Sequence, residues 1–221
     1  MLNSEDSVLF VCTGNTCRSP MAEYLAIEKA REKGLDVKIA SRGMMVSILP
    51  NWVEEPDSVV NPEGVLAVRA IYPQSKIYQH TPTQLSFDDL RNYKLILTMQ
   101  EMHIDRIVVK CAKAVPEVHK KVFTLVEYTS LDADSVDVPE PRFIGEDLSH
   151  PERVNGVDKG FIETRDNILS CLENLFNNPS PTYEQITQRR IARLEQEKAA
   201  RQRLFALRDA AHYARENHYG E

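Results

Sequence analysis

The chain has 221 residues, 42% of them hydrophobic, and a formal net charge of −6, which allows one substantial core and an appendage. No apolar run approaches the ~18 residues of a membrane span, and the acidic balance excludes general nucleic-acid binding. The opening MLNSEDSVLFVC carries acidic residues where a secretion signal would carry basic ones, so a cytoplasmic protein with no membrane or nucleic-acid partner is expected.

In chain order, SVLFVC (7–12) is a short apolar run and reads as a strand. PMAEYLAIEKAREKG (20–34) reads as a helix, with Ser19 as N-cap and Pro20 at its first position. DVKIAS (36–41), KLILTM (94–99) and KVFTLVEY (121–128) read as further strands. Helical patterns follow at PEGVLAVRAIYP (62–73) and QEMHIDRIVVKCAKA (100–114), with another inside 157–177. This alternation predicts an α/β fold: a four-stranded parallel sheet with helices on both faces. Asn177-Asn178-Pro179-Ser180-Pro181 is a strong breaker, dividing a domain over 1–178 from a charged helical extension over 179–221. Residues 182–221 carry eight Lys/Arg against six Asp/Glu and only a broken apolar stripe, which fits a solvated helix or a docking element for a partner.

Four cysteines (12, 17, 111, 171) include no CxxC pair and no zinc-type Cys/His spacing, so free thiols and no metal or cofactor are expected. Cys111 and Cys171 fall at apolar-facing helical positions and read as inert; His103, His119 and His150 read as surface or internally satisfied residues.

Residues 12–20, CTGNTCRSP, carry the chemistry. In an open parallel sheet, ligands bind beyond the carboxyl ends of the strands. A tight loop from a strand end into a helix N-terminus aims backbone N–H groups and the helix dipole at one point. Gly14 lets the backbone turn, and Asn15 tolerates left-handed geometry or locks the loop through its side chain. Thr13, Gly14, Asn15, Thr16, Cys17, Arg18 and Ser19 thus form a cradle for a tetrahedral oxyanion such as phosphate. Cys12 faces that point as a nucleophile, and Arg18 offers a bidentate fork for two phosphate oxygens. No GK[ST] follows Gly14, so this is not a nucleotide-binding loop.

CTGNTCRSPMAE resembles the signature of low-molecular-weight protein tyrosine phosphatases and their bacterial phosphoarginine-phosphatase relatives. YKLILTMQEMH (93–103), KVFTLVEY (121–128), DVPEP (137–141) and FIETRDNI (161–168) match in order, so the likeness covers about residues 7–176. It implies hydrolysis of protein phosphotyrosine or phosphoarginine through a cysteinyl-phosphate. Cys12 would be the nucleophile, Arg18 the phosphate clamp, and Asn15 and Ser19 the residues that order the loop. It also implies a redox role for Cys17, as the thiol that condenses with oxidised Cys12.

The chain departs from the family where an Asp-Pro general acid is usual. Glu140-Pro141 stands there, with Asp137 as a fallback. Glutamate can both protonate a leaving group and activate water, but its extra methylene moves the carboxyl by about an ångström. Longer loops at 41–64 and 142–160 offer Trp52, Arg142 and Phe143 as pocket-lining candidates, together with Thr16. Within the resemblance, threonine at position 16 marks the phosphoarginine branch, and an apolar residue marks the phosphotyrosine branch. Two alternatives stay open: a thiol-dependent arsenate reductase, for which the lone Cys111 supplies no resolving pair, and a weakly active phosphate-binding module.

Overall fold

A computed structural model describes residues 2–46, 60–130, 137–141 and 152–218. It contains a four-stranded, wholly parallel sheet in the order β2-β1-β3-β4, formed by β1 (Ser7–Cys12), β2 (Lys38–Gly43), β3 (Leu95–Thr98) and β4 (Val122–Thr124). All six residues of β1 are buried, as expected of a central strand covered on both faces. Leu9 and Val11 face a core shared with Leu90, Ile96, Ile104, Ile107 and Val122. Val8 and Phe10 alternate to the other face, which α1 (Arg18–Glu32) and α6 (Lys159–Asn177) cover with Met21, Leu25, Phe161, Ile168 and Leu172. Complete burial of a side chain such as Phe10 contributes roughly 1.5–3 kcal/mol.

β1 pairs with β2 on one side and β3 on the other, so the connections from its neighbourhood leave in opposite directions. That makes the carboxyl end of β1, at Cys12, the switch point where a crevice opens.

The strand expected over 121–128 is split. β4 stops at Thr124, and α5 (Leu125–Thr129) follows at once. Thr124 Oγ1 accepts from the Glu127 N–H at 3.1 Å, and Glu127 Oε1 accepts from the Thr124 N–H at 2.7 Å. This reciprocal capping box starts a helix inside an apolar run that periodicity alone reads as one strand. β2 lies two residues later than expected, because its register places Ser7 opposite Lys38 and Cys12 opposite Gly43. The helix expected over 62–73 is shorter, α2 (Pro62–Arg69), and that over 100–114 is α4 (Glu101–Cys111).

A short α-helix and a β-hairpin were not anticipated. Ser86 and Asp89 form a second capping box that opens α3 (Phe87–Asn92). Within the long 142–160 segment, β5 (Arg153–Val154) and β6 (Val157–Asp158) form a hairpin. Asn155 and Gly156 both have positive φ (54° and 81°), the geometry a two-residue Asn-Gly hairpin turn needs.

The chain forms two compact units, residues 1–180 and 181–221. The second is dominated by α7 (Tyr183–His218), whose Ile191 and Leu194 are exposed. Among the described residues, no helix is long and apolar enough to cross a membrane.

Candidate active site

β1 ends at Cys12 and α1 begins at Arg18, so residues 13–17 make the connection. The helix starts two residues earlier than the Ser-Pro signal suggests. Cys17 occupies the N-cap and makes no side-chain capping bond. Ser19 is not the cap: it lies within the first turn, and its Oγ donates to Cys12 Sγ at 3.0 Å. Pro20 is tolerated there because first-turn N–H groups have no intrahelical acceptor to lose.

The Asn15 N–H donates to the same sulfur at 3.3 Å. Two donors thus converge on one sulfur just before the first turn of α1. Asn15 is fully buried and left-handed, with φ of 57°. Its Nδ2 donates to Ser19 Oγ (3.0 Å) and Ser41 Oγ (2.8 Å), and its Oδ1 accepts from the Thr83 N–H (2.9 Å). His80 Nε2 lies 3.2 Å from the Asn15 main-chain oxygen, and Ser41 Oγ donates to Glu23 Oε2 at 2.6 Å. Burial pushes Glu23 up to about 7, against the Ser41 hydrogen bond, and burial lowers His80. Burial opposes charge on both groups, and His80 Nδ1 lies 3.5 Å from Glu23 Oε2, which joins them in one network under the loop.

Asn15 and Ser19 were legible as ordering residues. Ser41, His80, Thr83 and Glu23 were not, since they reach the loop from other elements and share no local motif with it. Gly43, the last residue of β2, was also missed. A Cβ there would stand 2.9 Å from the Gly14 carbonyl carbon and 3.0 Å from Asn15 Cβ. Glycine at this position lets the strand pass close beneath the loop.

Arg18 is 4% exposed. Its Nη1 donates to the Val138 carbonyl at 3.3 Å, and its Nη2 donates to Gln100 Oε1 at 3.2 Å and Glu140 Oε1 at 3.3 Å. Glu140 is thereby brought to the Arg18 guanidinium, with 71% of its side chain exposed. Asp137 is engaged elsewhere: its Oδ1 accepts from the Glu101 N–H at 2.8 Å at the start of α4. The Val138 N–H donates to the Met99 carbonyl at 2.9 Å, which ties the 137–141 segment to the end of β3. Gln100 carried no sequence signal of its own. A cavity of about 450 Å³ lies beside Glu140, lined by Gln100, Asp137, Asn167 and Ser170 among others.

The remaining loop residues have defined partners. The Thr16 carbonyl accepts from the Asn61 N–H at 2.7 Å, which sets the start of α2 against the loop. Cys17 Sγ lies 4.0 Å from Met21 Sδ. Burial, then the charge of Cys12, pushes the Cys17 thiol up to about 12, so it is protonated at neutral pH. Thr13 Oγ1 lies 3.0 Å from His103 Nε2. His103 is neither a surface residue nor fully satisfied: its side chain is buried and its Nδ1 has no partner. Trp52, Arg142, Phe143 and His150 lie outside the described residues.

The model of the low molecular weight phosphotyrosine protein phosphatase family matches residues 7–191. This chain belongs to that family. A protein-arginine-phosphatase of Bacillus subtilis is 35% identical over 123 residues, spanning 56% of this chain and 72% of that protein. The low molecular weight protein-tyrosine-phosphatase PtpA of Staphylococcus saprophyticus is 30% identical over 139 residues, 62% of this chain and 79% of PtpA. Among solved structures, a YwlE mutant from Bacillus subtilis superimposes with a TM-score of 0.58 at 28% identity, covering 77% of this chain and 95% of YwlE. The chain is a phosphoprotein phosphatase of the low-molecular-weight type, a hydrolase that works through a cysteine.

Proposed function

We propose that Cys12 attacks the phosphorus of a protein phosphoarginine or phosphotyrosine, with phosphoarginine preferred. The observation that carries the nucleophile is the sulfur at the end of β1, which receives hydrogen bonds from Ser19 Oγ and the Asn15 N–H. The S–P bond forms as the bond from phosphorus to the leaving nitrogen or oxygen breaks. Glu140, as the acid, gives its proton to that leaving atom. The Glu140 carboxylate then takes a proton from the water that attacks the cysteinyl-phosphate, releasing inorganic phosphate and the thiolate. Arg18 holds the equatorial oxygens throughout. In the free site its Nη2 donates to Glu140 and Gln100, and an incoming phosphoryl group takes over those donors.

Glu140→Gln should lower kcat/KM for poor leaving groups by about 10²-fold or more and leave kcat/KM for activated aryl phosphates, which reports phosphorylation alone, much less affected. The ratio of kcat/KM values across a series of leaving groups measures this. Equal slowing, or none, would remove Glu140 from the acid role.

The preference for phosphoarginine rests on Thr16. A guanidinium leaving group brings N–H donors that a threonine hydroxyl can accept, whereas an apolar side chain would leave them unpaired. Phosphate release from phosphoarginine and phosphotyrosine peptides, side by side, tests it. Thr16→Ile should shift the ratio of kcat/KM values towards phosphotyrosine by about tenfold, and an unchanged ratio would discard Thr16 as the selector.

Cys17 completes the proposal as a protective thiol. Peroxide converts the Cys12 thiolate to a sulfenic acid, and the Cys17 thiol displaces water from it to form a disulfide. Oxidation also removes the Cys12 charge that helps hold the Cys17 proton on, while Arg18, which acts the other way, remains. Cys17→Ser should stay active but lose activity irreversibly to peroxide. Full recovery with a reductant would show that Cys17 protects nothing.

A further inference from the structure

The nucleophile loop is held unequally on its two sides. On the Asn15 side, bonds to Ser19, Ser41 and Thr83 fix the chain, with His80 against the main-chain oxygen. On the other side stands Thr13, immediately after Cys12. Its carbonyl accepts from the Met45 N–H at 2.9 Å, and among the described residues its side chain hydrogen-bonds only to His103, across 90 residues of sequence.

We propose that His103 is a positioning residue for the phosphatase reaction, holding Thr13 through an Nε2–H donated to Thr13 Oγ1 and so setting the loop over the Cys12 sulfur. This rests on the reading of Cys12 as the nucleophile.

His103 sits on the first turn of α4, the same turn that supplies two other contacts to the site. Gln100, at its N-cap, accepts from Arg18, and the Glu101 N–H donates to Asp137. The imidazole has no exposure, and its Nδ1 is buried without a partner. A ring buried at the cost of one unpaired nitrogen is retained where the other nitrogen has a task.

The surroundings choose the tautomer. Burial first, then the positive charges of Arg18 and Arg106, lower His103 to about 4, so it is neutral in any working range. A buried Nδ1 without a partner is tolerated better as a bare lone pair than as an N–H lacking an acceptor, which assigns the proton to Nε2 and makes Thr13 Oγ1 its acceptor. A protonated imidazole would add a third positive charge beside Arg18 and Arg106, and burial prevents it.

The reach of substituted side chains separates positioning from mere packing. Glutamine can place an amide N–H near the former Nε2, whereas asparagine reaches only as far as Nδ1. His103→Leu should lower kcat for an activated aryl phosphate about tenfold with a small change in KM, and slow alkylation of Cys12 by iodoacetamide at fixed pH about threefold. His103→Gln should restore most of both, and His103→Asn little. Thr13→Val should reproduce the loss, and its combination with His103→Leu should cost no more than either alone.

Thermal unfolding of each variant reports packing separately from the loop. If His103→Leu does not fold, Thr13→Val and its alkylation rate carry the test. Wild-type alkylation and kcat in a folded His103→Leu, equal rescue by asparagine, or additive losses in the double variant would each overturn the inference. The alkylation readout also separates the two readings. An unreactive Cys12 in the wild-type protein would remove the nucleophile itself, whereas a reactive Cys12 indifferent to His103 would remove only the positioning role.

Discussion

Replacing Cys12 by serine should abolish turnover, by roughly 10⁴-fold or more, while leaving the fold and phosphate binding in place. The side chain is 4% exposed at the end of a fully buried strand, and serine is close to it in volume. The Ser19 hydroxyl and Asn15 N–H that reach the sulfur can donate equally to an oxygen. What is lost is reactivity, because a serine hydroxyl is scarcely ionised at neutral pH and no general base stands within the described contacts of Cys12 to remove its proton. Thermal unfolding and inhibitor-style titration with inorganic phosphate should match the wild type. Turnover within tenfold of wild type would show that another group attacks phosphorus.

Arg18→Lys should cost on the order of 10²–10³ in kcat/KM, even though the charge is kept. The guanidinium is planar and presents parallel donors, which an ammonium cannot reproduce. Its setting raises the cost. Three acceptors (the Val138 carbonyl, Gln100 Oε1 and Glu140 Oε1) are arranged for the fork, and a lysine in a site where arginine is 4% exposed cannot satisfy them together. The inhibition constant for inorganic phosphate should rise alongside the loss of rate. A lysine variant within tenfold of wild type would mean that phosphate is held by the loop amides alone.

The loop after β1 was legible because its signals are local. Cys12 at the strand end, Asn15 in the turn and Arg18 at the helix start lie within seven residues, between a buried strand and a helix. The sheet was legible for a related reason, since β1 and β3 are largely apolar, wholly buried and sit at its centre. Reading failed where an apolar run changes conformation midway, as at Thr124, where a capping box outranks the strand propensity around it. The Asn-Gly turn of the β5–β6 hairpin was a usable signal that went unread. The shell around the loop is different in kind. Ser41, His80, Thr83, Gln100 and His103 meet the loop only because the sheet order brings their elements to its edge, and no spacing rule connects them to Cys12.

Glu140 is intermediate between these cases. Its place before Pro141 was readable, and its side chain does reach Arg18. Asp137, the alternative by spacing, has its carboxylate on the first turn of α4 instead. Helix N-termini attract carboxylates for reasons unrelated to catalysis, and a sequence pattern does not separate the two uses.

The most direct test of the account is to trap the intermediate. Glu140→Gln protein mixed with an activated aryl phosphate should be phosphorylated quickly and hydrolysed slowly, because the second step lacks its base. Rapid quenching followed by mass spectrometry of the peptide containing Cys12 should find a phosphoryl group on that sulfur. Aryl phosphate turnover with no phosphoryl group on Cys12 at any quench time, or a phosphoryl group on a different residue, would contradict the mechanism.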